Sequence, residues 1–189
     1  MQRFYTDFDA LNRFSLSLDY HQSDLQCAFC LKNDQFVSHG IIYKQRSMLI
    51  SEKVGKRLFC SNRYGRSGCG RTFQLYVCAE IPRFRYGAAH LFVFIAALLA
   101  QLSVTQAYVK ATGQRFIEPR QAWRWLHKLM FKLSDYRTFL NARIPQSTTP
   151  TRYRALRLQH LLPTLSHLMA DSDGCFCSAF QDQSQHTFI

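Results

Sequence analysis

The sequence predicts an α+β fold whose β part and helical part occupy separate stretches of chain. Residues 25–82 hold five of the seven cysteines, several short runs of β-forming residues, and glycines where turns belong. Residues 83–143 change period, with apolar side chains recurring every three or four positions. Pro82 marks the change.

Each element has its own signal. In the lead-in, residues 1–24, Phe4, Phe8, Leu11 and Phe14 are spaced for a short amphipathic helix that packs on a later element. The strand candidates are Phe36-Val37, Gly40–Tyr43, Arg57–Phe59 and Thr72–Val77. A first helix is expected over about residues 87–101. A second runs from Val104 to Thr112 and stops at Gly113. A third begins at Pro119, a residue suited to a first helical turn, and continues to about Asn141. Residues 144–150 read as a linker, which leads into a helix of about residues 152–170 bent at Pro163. The tail, 171–189, reads as polar and poorly ordered. No internal repeat is visible.

Charge narrows the choice of partner. The chain of 189 residues carries +12 overall. Between Lys44 and Arg143 there are eighteen lysines and arginines against four acids, Glu52, Glu80, Glu118 and Asp135. A basic centre between near-neutral ends is the footprint of a polyanion partner, because each phosphate contact releases counterions. Residues 1–20 lack an apolar signal core, and the longest apolar run, Leu91–Ala100, falls short of the roughly 20 residues that span a bilayer. A cytoplasmic, nucleoid-associated bacterial protein without a membrane partner is the expectation. Seven cysteines, an odd number, favour metal ligation over a disulfide framework.

Cys27 and Cys30 form a C-x2-C pair, and Cys60 and Cys69 a second, looser one with eight residues between them. Zinc takes four such ligands in a tetrahedron, with thiolates at about 2.3 Å. Two cysteine turns at the ends of a hairpin make a zinc ribbon, and one structural Zn2+ is expected. Gly70, after Cys69, permits the left-handed backbone such a turn uses. Residues 61–68 read as a flexible excursion. Cys78 or His39 remains an alternative for one ligand. Cys175 and Cys177 form a C-x-C pair in the tail, read as surface cysteines, with metal or redox pairing as alternatives.

The segments Arg57-Leu58-Phe59-Cys60 and Cys69-Gly70-Arg71-Thr72-Phe73 resemble the R-[YF]-x-C-x-x-C-x-R-T-F ending of zinc ribbons in insertion-sequence transposition proteins. There the ribbon precedes a helix-turn-helix that binds the element ends. The resemblance covers about residues 25–135 and implies Cys27, Cys30, Cys60 and Cys69 as the zinc ligands. This chain departs from the pattern in its longer second cysteine turn, its long spacer and its additional C-terminal helix.

The helical part matches that order. Val104, Ala107, Tyr108 and Ala111 share one helix face. In the next helix Ala122, Trp125, Leu126, Leu129, Met130 and Leu133 form the apolar face, leaving Arg120, Gln121, Arg124, His127 and Lys128 opposite. That division suits a recognition helix in the major groove, where Arg reads guanine and Gln reads adenine. The connection, 114–118, is slightly longer than the tight form of the motif. Trp123 and Trp125 read as core or rim residues. Arg63 and Arg66, flanking Tyr64, and Arg83 and Arg85, flanking Phe84, are further candidates for phosphate or minor-groove contact.

Catalysis is not expected. Two-metal phosphoryl transfer needs two or three carboxylates around ions about 4 Å apart. From Lys53 to Ser134 only Glu80 and Glu118 are acidic, while Asp7, Asp9, Asp19 and Asp24 crowd the start of the chain. The expectation is a zinc-dependent protein that binds double-stranded DNA: a mobile-element accessory factor beside a transposase or other catalytic subunit, or a transcription regulator. The alternative is a zinc-ribbon adaptor that docks a protein, and RNA binding is a third reading. Leu158, Leu161, Leu162, Leu165 and Leu168 form a stripe that serves either a homodimer or the chain's own core.

Overall fold

A computed structural model describes residues 2–19, 25–46, 49–114, 119–140, 154–172 and 174–189, with the backbone alone for 19 and 154–158. The expected linker 144–150, most of the connection 114–118, and Asp24 lie outside them. The chain is α+β and forms two compact units, Met1–Arg85 and Tyr86–Ile189.

The first unit contains β1 (Gln2–Tyr5), α1 (Phe8–Asp19), β2 (Phe36–Gln45), β3 (Ser51–Cys60) and β4 (Thr72–Val77), with the sheet ordered β1-β4-β3-β2. The lead-in does form a helix carrying Phe8, Leu11 and Phe14, but Phe4, expected on the same face, belongs to β1, and the lead-in is not a separate segment. β1 runs parallel to β4, with Arg3 opposite Leu75 and Phe4 opposite Tyr76. This long-range pairing has no local signal in the sequence. Asp7 starts α1 by accepting the Ala10 N–H at 2.7 Å, and that bond holds its carboxyl below the usual carboxylate range.

Period-2 alternation sorts β4 between two faces. Phe73 and Leu75 pack with Leu11 and Leu18 of α1 and with Phe36 and Leu58, while Tyr76 packs with Phe4 and Cys78 in a separate cluster. Phe36 meets Phe73 edge-on at 4.9 Å. Burying each of these side chains contributes about 1.5–3 kcal/mol. The first cluster also contains Cys27 and Cys60, so one core supports both cysteine turns.

The second unit is helical: α2 (Ala88–Leu99), α3 (Val104–Thr112), α4 (Pro119–Phe131), α5 (Leu133–Leu140), α6 (Arg154–Ala170) and α7 (Phe176–Ser184). Ser103 starts α3 with a reciprocal capping box with Gln106, and Gly113 ends it in the left-handed conformation, φ 68°. Trp125 sits at the centre, with the rings of Tyr108, Phe94 and Tyr86 at 4.9, 5.2 and 5.3 Å. The expected continuous third helix is broken at Lys132, whose N–H is shared between the Lys128 and Leu129 carbonyls. Neither Pro nor Gly marks that break.

Two further expectations change. The tail is not poorly ordered: α7 buries Phe176, Cys177, Phe180 and Gln181, and Phe188 is buried beyond it. The Tyr136 hydroxyl donates to the Phe188 carbonyl at 2.6 Å, and Gln181 Oε1 accepts the Phe188 N–H at 3.0 Å. Short apolar clusters hidden among polar residues carry this docking. On α6, Leu161, Leu165 and Leu168 are buried within the chain, so these three serve its own core.

Candidate metal centre and basic helix face

Two turns bring the sulfurs together. In the first, the Leu31 N–H donates to the Cys27 carbonyl at 2.9 Å, the Cys27 N–H donates to the Lys32 carbonyl at 3.0 Å, and Leu31 takes the left-handed conformation. In the second, Cys60 ends β3, and the chain returns so that the Gly70 N–H donates to the Cys60 carbonyl at 2.9 Å. Gly70 has φ 74°, the left-handed backbone its position predicted. Gly68 is required for a different reason. A Cβ there would lie 2.4 Å from the Ser61 carbonyl oxygen and 2.7 Å from Cys60 Sγ. The return strand can approach the sulfur only without a side chain.

The sulfurs of Cys27 and Cys69 are 3.7 Å apart, as are those of Cys30 and Cys60. All four lie within 4.8 Å of one another, and they could bind one metal ion. A tetrahedron with ligands at about 2.3 Å has edges of about 3.8 Å, so the spacing fits a single ion. Two amides point at the sulfurs, Phe29 N–H to Cys27 Sγ at 3.5 Å and Cys69 N–H to Cys60 Sγ at 3.3 Å. Such donors favour the thiolate form and orient the ligands.

Electrostatics set Cys27 and Cys60 apart. Burial pushes Cys27 up, but the Cys30 and Phe29 amides and the neighbouring sulfurs outweigh it and bring the thiol down to about 7. Burial dominates at Cys60 and pushes it up to about 12. A cation among the sulfurs reverses that penalty, since a coordinating thiol is held deprotonated. The Arg71 guanidinium lies 4.0 Å over the Phe29 ring, and Phe29 packs on Phe73 at 5.6 Å, which ties the first turn to β4.

Neither alternative ligand joins the set. Cys78 Sγ donates to the Thr6 carbonyl at 3.6 Å, and the His39 ring packs on Phe59 at 5.5 Å. Among the described residues these four cysteines are the one group of His, Cys, Asp and Glu placed to share a metal. Cys177 is buried and Cys175 half-buried, so the C-x-C pair is not a surface feature.

The excursion 61–68 is not a loose loop. Arg66 donates to the Asp34 and Phe36 carbonyls at 2.6 and 3.2 Å. Ser67 N–H donates to Gln35 Oε1 at 2.7 Å, Lys32 Nζ to the Ser67 carbonyl at 2.7 Å, and Gly68 N–H to the Ser61 carbonyl at 2.7 Å. Arg66 therefore acts as an internal strut, while Arg63 is exposed.

Arg83 and Arg85 are also exposed and line a concavity of about 310 Å³ with Lys44, Tyr76 and Glu80. One feature there had no pattern to reveal it. Glu80 is buried and paired with both Lys44, at 2.6 Å, and Arg46, which also bonds Glu52 at 2.7 Å. A lone acid in a basic stretch was its sole trace in the sequence.

In the second unit α4 divides as its period predicted. Ala122, Trp125, Leu126, Leu129 and Met130 are buried, and Leu133 is buried at the start of α5. Arg120, Arg124 and Lys128 are exposed, with Gln121 and His127 half-exposed. Arg120, Trp123, Arg124 and His127 line one shallow concavity with Pro119. Trp123 is a rim residue and Trp125 a core residue. On α3, Ala107, Tyr108 and Ala111 are buried and Val104 half-buried. No helix among the described residues is long and apolar enough to cross a membrane. No protein-family model matches the chain, and no curated protein or solved structure matches it either.

Proposed function

We propose that this chain is a zinc-dependent protein that binds double-stranded DNA, as an accessory factor of a mobile element or a transcription regulator, and leaves any strand chemistry to a separate catalytic subunit. The observation that carries the reading is α4. It follows α3 after a left-handed Gly113, buries one face, and turns Arg120, Gln121, Arg124, His127 and Lys128 away from the core. A helix of this kind is how helix-turn-helix proteins reach base edges. The net charge of +12 adds the sequence-independent part of the affinity.

Four cysteine ligands with 3.7 Å sulfur pairs suit a closed, structural zinc site. The ion would be held by Cys27, Cys30, Cys60 and Cys69 and would tie the two turns together. Glu80 supports a non-catalytic reading, since its carboxylate is engaged by Lys44 and Arg46. The working compartment in this reading is the bacterial cytoplasm, on the nucleoid.

The test is elemental analysis of the purified protein together with selection of duplexes from a random pool, followed by electrophoretic shifts at several salt concentrations. One zinc per chain, a recovered consensus and a steep salt dependence are expected. Equal affinity for all duplexes would remove the sequence-specific reading. A second reading, a protein-docking adaptor, is favoured by exposed apolar side chains near the β2–β3 connection, where Leu49 is 96% exposed and Ile50 55%. Recovery of a stoichiometric protein partner, free of nucleic acid after high-salt washing, would support it.

A further inference from the structure

The tip of the second cysteine turn carries an aromatic side chain that the fold leaves almost wholly exposed, Tyr64. Tyr64 has φ 53° and Gly65 φ 80°, and the Arg66 N–H closes the turn on the Arg63 carbonyl at 3.1 Å. Two central residues at positive φ define a type I′ turn, which Asn-Gly occupies at little strain. Tyrosine is poorly suited to the first of those positions, because its Cβ crowds the carbonyl. Nothing packs on the ring to offset this, since Tyr64 is 99% exposed.

Both shoulders of the turn are braced. On one side the Arg63 N–H donates to Ser61 Oγ at 3.2 Å, and the Ser61 N–H to the Gln35 carbonyl at 2.7 Å. On the other, Arg66 is clamped to the Asp34 and Phe36 carbonyls, and Ser67 to Gln35. Those braces converge on the cysteine turns, because Cys60 precedes Ser61 and Cys69 follows Gly68. A strained, wholly exposed aromatic on a cross-braced turn points to a function for the ring outside the protein.

We propose that Tyr64 is a wedge that stacks on a base step of duplex DNA from the minor groove, with the neighbouring Arg63 on the adjacent phosphate. The proposal rests on the DNA-binding reading above and adds the mode of contact of the first unit. The chemistry is that of architectural proteins, which insert a side chain between base pairs beside basic residues. A preorganised turn lowers the cost of ordering the ring on binding.

The experiment uses the full chain with its metal and a short duplex recovered from the selection, carrying 2-aminopurine at successive positions. This base brightens when it unstacks. Wild type should raise the fluorescence at one base step, and Tyr64→Phe should retain both signal and affinity. Tyr64→Asn, which suits the left-handed backbone and keeps the turn, should abolish the signal and weaken binding by about 5- to 150-fold, the range of one base–aromatic stack. Cobalt(II) spectra and circular dichroism matching wild type would establish that the variants are folded. Tyr64→Asn binding as tightly as wild type with the same fluorescence change would overturn the wedge and leave the DNA-binding reading intact. So would wild-type binding with no unstacking at any position. If wild type binds no duplex, the DNA-binding reading fails first and the wedge falls with it.

Discussion

Cys27 and Cys69 stand 42 residues apart in the chain, yet their sulfurs lie 3.7 Å from each other. Sheet and core bring them there: Cys27 packs with Phe36, Leu58 and Phe73, the residues that hold β2, β3 and β4 together. The candidate metal site is therefore an extension of the core of the first unit, and disturbing either should disturb the other.

If the cluster holds the proposed structural zinc, replacing Cys27 or Cys60 with serine should abolish stoichiometric metal binding and destabilise the first unit by several kcal/mol, because closing such a site supplies folding free energy directly. Elemental analysis and chelator-dependent thermal melts check this. Full metal content in Cys27→Ser would show that the ion sits elsewhere. Cys78→Ser should keep its metal, since Cys78 bonds Thr6 and not the cluster.

Cys175 and Cys177 should differ sharply in reactivity. The Cys177 thiol donates to Cys175, which outweighs the upward push of burial and brings Cys175 down to about 6, whereas burial drives Cys177 well above the ordinary thiol value. The thiolate is the nucleophile, so alkylation of Cys175 should be half-maximal near pH 6, level off above it, and fall as pH drops through that value. Mass spectrometry after iodoacetamide at graded pH reads it. In Cys177→Ala the midpoint should move upward, because the donor is gone.

Docking of the tail is testable by stability. Tyr136→Phe removes the hydroxyl that donates to the Phe188 carbonyl at 2.6 Å and should cost about 1–3 kcal/mol by leaving that buried acceptor unpaired. Phe180→Ala should cost about 3–5 kcal/mol through the cavity it leaves against Tyr136 and Phe188. Urea titrations measure both. A tail that contributes nothing would leave the midpoint unchanged.

Glu80 is a separate case. Removing its carboxylate leaves Lys44 and Arg46 without their common partner, and Lys44 already has its ammonium pulled down by burial although Glu80 opposes the shift. Glu80→Ala should destabilise by about 3 kcal/mol, near the lower end for breaking a buried pair since Arg46 is partly solvated and keeps Glu52. A shift in the denaturation midpoint much smaller than this would mean that water already screens the network.

On the proposed DNA face, Arg120→Ala and Arg124→Ala should each relax base preference by about 1–3 kcal/mol at one position of the site. Lys128→Ala should instead weaken all sequences alike and reduce the salt slope by about one. Binding curves on matched and mismatched duplexes distinguish the two behaviours. Identical effects from all three variants would make the face a phosphate contact without base readout.

The features legible in the residues were local ones. Spacing announced the two cysteine turns, Gly113 and Gly70 announced left-handed backbone, and a period of three to four divided α4 into its two faces. Each depends on neighbours a few positions away, where steric and hydrogen-bonding rules act directly on the chain. Tertiary structure decided the rest. It excluded Cys78 and His39 from the ligand set, turned Arg66 inward as a strut, laid β1 beside β4, and docked Phe188 on Tyr136. The Arg66 strut, the β1–β4 pairing and the tail docking join residues 30 or more positions apart and compete with many other pairings of similar residues. No short-range pattern selects among them, and the packed core does.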